Sequence, residues 1–402
     1  MNYKRFIEVT QKHWTDYFNF IKGKSSEGLL SSDKGETLFP TILLITQSKK
    51  RFIAELLGAS KEFQGLSFKY HSEPSINRYL GQFDIDSSHP LFGLDGKNIH
   101  VQDLVFTQHQ ELAKIQSRFP ITGSFKSIIH ASPNSTGSMI AFGDNFKSVE
   151  FNNCLLINSY SNMVRVKHIL NLIIIQNELS ALEYEQWMKD FLYERKVDNN
   201  GRIYREVRGV HTCYQGKEHD FVVAGQFANT FLFNKLRETT IGEFIKLHPE
   251  IIQRAIGVRK FVYEPELPWL EANFANTDKS INPDLMIERE DGHYDIYDLK
   301  TAALEKENIT KGQRRRRRFI DYVEEGVAQL ANYAEYFTFS KNCEYALKKY
   351  GIKVRNPNLI LVVGNYDNVN KTEVEEACRR LSSNINIVDY DSLLQMFLLS
   401  GN

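Results

Sequence analysis

The 402-residue sequence predicts a two-domain α/β protein: a mixed α/β N-terminal half, then a C-terminal α/β domain. Three observations predict it. The chain is too long for one ordinary core, and 42% hydrophobic with 25% charged residues excludes disorder, collagen and coiled coil. The texture changes near residue 200, where VDNNGR at 197–202 combines an Asn-Asn-Gly turn signal with polarity on both sides. From about residue 239 the apolar spacing reads helix, three strands, helix, strand. The predicted domains are therefore 1–200 and 201–402.

In the first half, PTILLIT at 40–46 and VEFNNCLLIN at 149–158 read as strands, and Lys49 to Leu57 and Leu182 to Glu194 as helices. The second half gives a helix from Thr239 to Ala255 and strands at Lys260–Tyr263, Leu285–Glu288 and Tyr294–Leu299. A helix from Phe319 to Phe337, a strand at Leu359–Val363, a helix near Glu373–Leu381, a strand at Ile385–Val388 and a helix from Ser392 follow.

Composition narrows the function by exclusion. Fifty Lys plus Arg balance fifty Asp plus Glu, and the halves carry 22 against 21 and 28 against 29. No global field draws the protein to nucleic acid or an anionic membrane, so such a partner needs a local patch. Cys154, Cys213, Cys343 and Cys378 lie 59, 130 and 35 residues apart, which fits neither a zinc knuckle nor a disulfide framework. The N-terminus lacks the apolar core of a signal peptide, and LNLIII around Ile169 to Ile175 is far short of a bilayer span. These features predict a cytoplasmic protein. Gly-x-Gly-x-x-Gly, Walker-type loops and Gly-x-Ser-x-Gly are absent, which argues against nucleotide-cofactor, NTPase and serine hydrolase chemistry.

The sharpest signal is Asn282-Pro283-Asp284 opening one strand and Asp298-Leu299-Lys300 ending the next. Side chains alternate along a strand, so Ile296, Asp298 and Lys300 share a face. A hairpin turn at Glu290-Asp291-Gly292-His293 pairs the two strands antiparallel and brings Asp284 opposite the Asp298 region. Two carboxylates supply hard oxygen ligands for Mg²⁺, with Mn²⁺ as a substitute, and a lysine orients a nucleophile or stabilises charge on phosphate oxygens. That chemistry hydrolyses phosphodiesters. On the next helix Gln329 and Tyr333 are four residues apart on one face, with Gln329 able to reach a metal-bound water or the lysine. On the preceding helix Glu243 and Glu250, seven apart, are both candidates for a third carboxylate. Lys311-Gly312-Gln313 followed by Arg314, Arg315, Arg316, Arg317 and Arg318 puts six positive charges in eight residues, a candidate DNA-binding segment.

Each feature has a plainer reading. Asp298 and Lys300 could be an exposed ion pair at a strand end, although Ile and Tyr neighbours argue against exposure. Glu243, Glu250, Gln329 and Tyr333 could be helix surface, and the arginine run a solvated helix start. His248 and His293 have no paired ligand at metal spacing.

Taken together, Pro283-Asp284, Asp298-x-Lys300 and Gln329-x-x-x-Tyr333 resemble the PD-(D/E)xK nuclease core, a restriction-endonuclease-like fold. More narrowly, IGEFIKLHPEII, PDLMIERE and YDIYDLKTA resemble the nuclease domain of Shedu, a prokaryotic anti-phage defence family, over roughly 235–365. The resemblance implies a Mg²⁺-dependent DNA endonuclease that cuts or nicks phage DNA, with Asp284 and Asp298 on the metal, Lys300 catalytic and Gln329 supporting. It implies a helix glutamate within 238–250, where Glu243 is preferred over Glu250. It also implies a regulatory or DNA-sensing role for the first 200 residues, and homo-oligomers. Two alternatives stay open: a DNA-binding sensor with an inactive core, and a nuclease acting on RNA or on the cell's own DNA in abortive infection.

Overall fold

The computed structural model describes residues 1–27, 35–73, 138–141, 148–160, 163–197, 203–207, 213–214, 216–233, 236, 238–272, 279–302, 308–313, 316–381 and 385–400. The chain divides into two units, Met1–Asn229 and Thr230–Asn402. The division falls inside a helix, Lys217–Leu232, whereas the sequence reading placed it at 200/201. Residues flanking the turn signal near 200 are two paired antiparallel strands, Tyr193–Val197 and Ile203–Val207. The turn itself, 198–202, lies outside the described residues.

The N-terminal unit opens with helix α1 (Tyr3–Ser26), which the sequence reading did not anticipate. Its buried positions Phe6, Val9, Thr10, His13, Trp14, Tyr17, Phe18 and Ile21 recur every three or four residues, an apolar stripe with helical period. A sheet follows from β1 (Ile42–Gln47), β2 (Arg51–Leu57), β3 (Ser67–Ser72), β4 (Ser138–Ala141), β5 (Ser148–Tyr160) and β6 (Met163–Gln176), in the order β3-β1-β2-β6-β5-β4. Helix α2 (Ala181–Leu192) starts at a Ser180–Glu183 capping box and packs with α1 over one face of the sheet. Helix α3 is Lys217–Leu232.

The expected helix at 49–57 is instead β2, buried along all seven residues. RFIAELL is a short mixed run whose period does not separate helix from strand. Antiparallel partners on both edges, β1 and β6, decide the matter, because they satisfy its backbone hydrogen bonds along a segment buried on both faces.

In the C-terminal unit, helices α4 (Glu238–Leu247) and α5 (Glu250–Ile256) replace the single helix expected over 239–255. Pro249 lacks the N–H needed to continue the ladder and restricts His248 before it, so the helix breaks there. A mixed five-stranded sheet runs β7 (Phe261–Tyr263), β8 (Leu285–Glu288), β9 (Tyr294–Leu299), then, past a small hairpin of β10 (Thr310–Lys311) and β11 (Arg318–Phe319), β12 (Leu359–Val362) and β13 (Ile385–Val388). Spatial order is β7-β8-β9-β12-β13, with β7, β8 and β9 antiparallel and β9, β12 and β13 parallel.

Helix α6 (Asp321–Tyr336) begins two residues later than expected because Arg318 and Phe319 pair with Lys311 and Thr310. It buries Val323, Gly326, Leu330, Tyr333 and Tyr336, and its buried apolar side chains share a core with Ile296, Leu359 and Leu361 of the sheet. Gly326 allows this approach: a Cβ there would lie 2.9 Å from Leu361 Cδ1 and 3.2 Å from Lys300 Cε. Helices α7 (Ser340–Tyr350), α8 (Lys371–Cys378) and α9 (Tyr390–Leu399) complete the unit. Among the described residues no helix is long and apolar enough to cross a membrane.

Candidate active site

Register places the first carboxylate. Leu285 pairs with Tyr297 and Glu288 with Tyr294, so the residue before β8, Asp284, falls opposite Asp298. The Asp284 carboxylate accepts the Leu299 N–H at 2.5 Å, which ties it to the end of β9 between Asp298 and Lys300. Asp298 is 1% exposed and Lys300 9%, and Lys300 Nζ stands 2.6 Å from Asp298 Oδ2. This is a buried pair, unlike the exposed strand-end pair considered from sequence.

Lys300 Nζ also donates to Gln329 Oε1 at 2.9 Å. Gln329 Nε2 in turn donates to the Tyr333 hydroxyl, which donates to the Asn282 carbonyl at 3.2 Å. The direction of this relay is fixed by its ends, since an ammonium only donates and a carbonyl only accepts. It therefore orients the Gln329 amide and links Lys300 back to the segment that carries Asp284. Of the four polar residues predicted for the strands and the following helix, the fold brings Asp284, Asp298, Lys300 and Gln329 to one place.

Burial sets the electrostatics. Desolvation, followed by the Asp298 charge, pushes the Asp284 carboxyl up to about 7 despite the Leu299 N–H. Desolvation raises Asp298 to about 6, with Lys300 working against the rise and Glu238 adding to it. Two carboxylates held together out of water are strained as anions. A divalent cation relieves both at once.

The residues fit such a cation by a specific measure. Asp298 is 1% exposed with the Lys300 ammonium 2.6 Å from its Oδ2, and Asp284 lies opposite it, so two carboxylates stand against one lysine cation. Among the described residues no group of three or more His, Cys, Asp or Glu side chains is arranged to hold a metal. A two-carboxylate site matches the habit of Mg²⁺, which keeps waters and binds through one or two carboxylates plus substrate phosphate.

The two predicted helix glutamates lie on separate helices. Glu243 is exposed on α4, and Glu250 opens the separate helix α5 with His248 Nδ1 3.0 Å from its carboxylate. Glu238, the first residue of α4, reaches the site: it accepts from Thr301 N at 3.3 Å and from the Tyr322 hydroxyl, and its charge is felt at Asp298. The predicted helix starts at Thr239, one residue past Glu238, which leaves Glu238 out of its glutamates. Tyr322, whose hydroxyl takes the Thr301 N–H at 2.9 Å, and Tyr390, whose hydroxyl donates to Lys300 O at 2.8 Å, were also missed. Tyrosines carry no spacing signature that separates a backbone anchor from a core aromatic.

The basic run divides. Arg317 is held internally, 2.9 Å from Glu373 and 3.5 Å from Glu376 of α8, and it donates to Gly312 O. Lys311 pairs with Asp321. Arg316 and Arg318 are exposed, whereas Arg314 and Arg315 lie outside the described residues.

Residues 235–394 match the family model described as Shedu protein SduA, C-terminal. No curated protein matches the chain. The matched stretch spans α4 to α9 and contains the whole Asp284, Asp298, Lys300 and Gln329 cluster. Residues 235–394 are thus similar to the C-terminal domain of the Shedu protein SduA.

Proposed function

We propose that the chain is a divalent-metal-dependent DNA endonuclease of anti-phage defence, its C-terminal unit a PD-(D/E)xK nuclease core controlled by the N-terminal unit. The observation that carries this reading is the trio at the end of β9, where half-buried Asp284 is bonded to Leu299 N and buried Lys300 Nζ stands 2.6 Å from buried Asp298. The similarity of residues 235–394 to the Shedu C-terminal domain supports the defence role.

In this reading Asp284 and Asp298 hold Mg²⁺, which when bound lowers the pKa of a water and neutralises charge developing on the phosphate. Lys300 is aimed by Gln329 and by its own backbone, whose carbonyl is fixed by Tyr390. Its ammonium stabilises the anionic phosphate oxygens as the scissile bond lengthens. Glu238 holds the turn just after Lys300 through Thr301 N. The exposed Arg316 and Arg318 contact backbone phosphates of the duplex, without reading sequence.

Supercoiled plasmid incubated with Mg²⁺ tests the reading. Nicked or linear product should form with Mg²⁺, vanish with EDTA, and fall by roughly 100-fold or more in Lys300→Ala. DNA binding without any metal-dependent cut would make the chain a sensor with an inactive core, and preferential cutting of RNA would reassign the substrate.

A further inference from the structure

Two buried asparagines outside the predicted site tie its two functional parts together. Asn365 and Asn368 are each 6% exposed, in the turn that follows β12. Asn365 Nδ2 and Asn368 Nδ2 both donate to Ala302 O, at 3.2 and 2.8 Å, so two amides converge on one carbonyl two residues after Lys300. Their remaining groups close the turn on itself. Asn368 Oδ1 accepts Asn365 N at 2.8 Å, and Asn365 Oδ1 accepts Asp367 N at 2.8 Å.

The same turn also reaches the basic hairpin. Asn368 O accepts Ile309 N at 3.0 Å, and Ile309 O accepts Ile320 N at 3.0 Å, at the base of the β10–β11 hairpin. Glycine at 364 is what lets the turn fold this tightly. Its φ is +78°, and a Cβ would lie 2.7 Å from Asn368 Oδ1 and 3.2 Å from Ile309 Cγ2. Ala302, Ile309 and Val363 are all fully buried around it. Buried amides with every group used hold one geometry, because a shift of either end leaves an unpaired polar atom in the core.

We propose that Asn365 and Asn368 are positioning residues that fix the spacing between the Lys300 end of β9 and the basic hairpin, and so set where a gripped duplex meets the catalytic centre. The inference rests on the nuclease reading above. Asn368 acts at both ends, through its side chain on Ala302 and its carbonyl on Ile309. Asn365 acts at the Ala302 end and holds the Asn368 side chain in place.

The test uses the full chain, Asn368→Ala and Asn365→Ala, an end-labelled duplex of about 40 base pairs, and affinity measured in EDTA. Duplex affinity should stay within about two-fold of the parent, because the exposed arginines are untouched. The single-turnover cleavage rate with Mg²⁺ should fall by roughly 10- to 100-fold, the scale of a small misplacement of reacting groups. The distribution of cut positions should broaden, an effect that a mere loss of folded protein would not produce. Asn368→Asp, which keeps the acceptor but turns the donor on Ala302 O into a second acceptor, should show the same broadening. Variants that cut at the parental rate and positions would overturn the strut, as would a fall in rate that only tracks the folded fraction with an unchanged cut pattern. A parent chain that never cuts with Mg²⁺ would instead overturn the nuclease reading.

Discussion

Asp284 shows how much of the site is decided at single residues. Its carboxyl titrates near 7 in the fold against an ordinary value near 4, and Asp298 near 6. Both groups hold protons more tightly folded than unfolded, so their contribution favours the folded state below about pH 4. It declines as pH rises through the folded values and is gone above about 7. Asp284→Asn, which can still accept the Leu299 N–H, should therefore stabilise the metal-free protein at pH 8 by about 1–3 kcal/mol and change little at pH 4, read by thermal melts at both pH values. Gly326 gives a second residue-level expectation. Alanine there gains about 1 kcal/mol of helix propensity but crowds fully buried Leu361 and the Lys300 stem, a cost of about 1–3 kcal/mol. A small loss of stability with a disproportionate loss of cleavage rate is the expected pair of readings in melts and plasmid assays. Asp284, Asp298 and Lys300 were legible in the sequence because strand alternation and hairpin register convert spacing into proximity, and Gln329 because its four-residue spacing from Tyr333 puts both on one helix face. Asn365 and Asn368 were not, since an amide that satisfies a distant carbonyl leaves no period.

At the scale of elements, the basic hairpin is a built feature rather than a solvated run. Arg317 joins it to α8 through Glu373 and Glu376, and Thr310 Oγ1 donates to Glu373 as well. Arg317→Ala should cost about 1–2 kcal/mol and speed amide exchange across 310–319, while Arg318→Ala, exposed at the hairpin surface, should cost under about 0.5 kcal/mol. Hydrogen-exchange mass spectrometry separates the two, and equal effects would mean that Arg317 is no anchor. The order helix, three strands, helix, strand was readable because the apolar periods of the C-terminal elements are clean. Two errors have physical causes. Pro249 divides a pattern whose period continues across it, and RFIAELL at 51–57 becomes a strand only because β1 and β6 flank it.

For the whole molecule, the linkage of metal, proton and fold is the main consequence. A cation that needs both carboxylates ionised competes with protons below about pH 7, so Mg²⁺ should raise the melting temperature by several degrees at pH 8 and far less at pH 5.5. Equal shifts at the two pH values would place the cation elsewhere. The Shedu match covers 235–394 and thus the unit that carries the site, while Met1–Asn229 forms a separate unit with its own sheet and aromatic core. The sequence of that first unit carried no chemical motif, and its fold was legible only as mixed α/β, because fully buried strands such as β2 show no alternation. The most direct test of the account is a crystal structure of the chain soaked with Mn²⁺, read by its anomalous signal. The account predicts one ion bound by Asp284 and Asp298 at about 2.1–2.2 Å and lost in Asp298→Asn. A saturated crystal with no signal between those two carboxylates would contradict it.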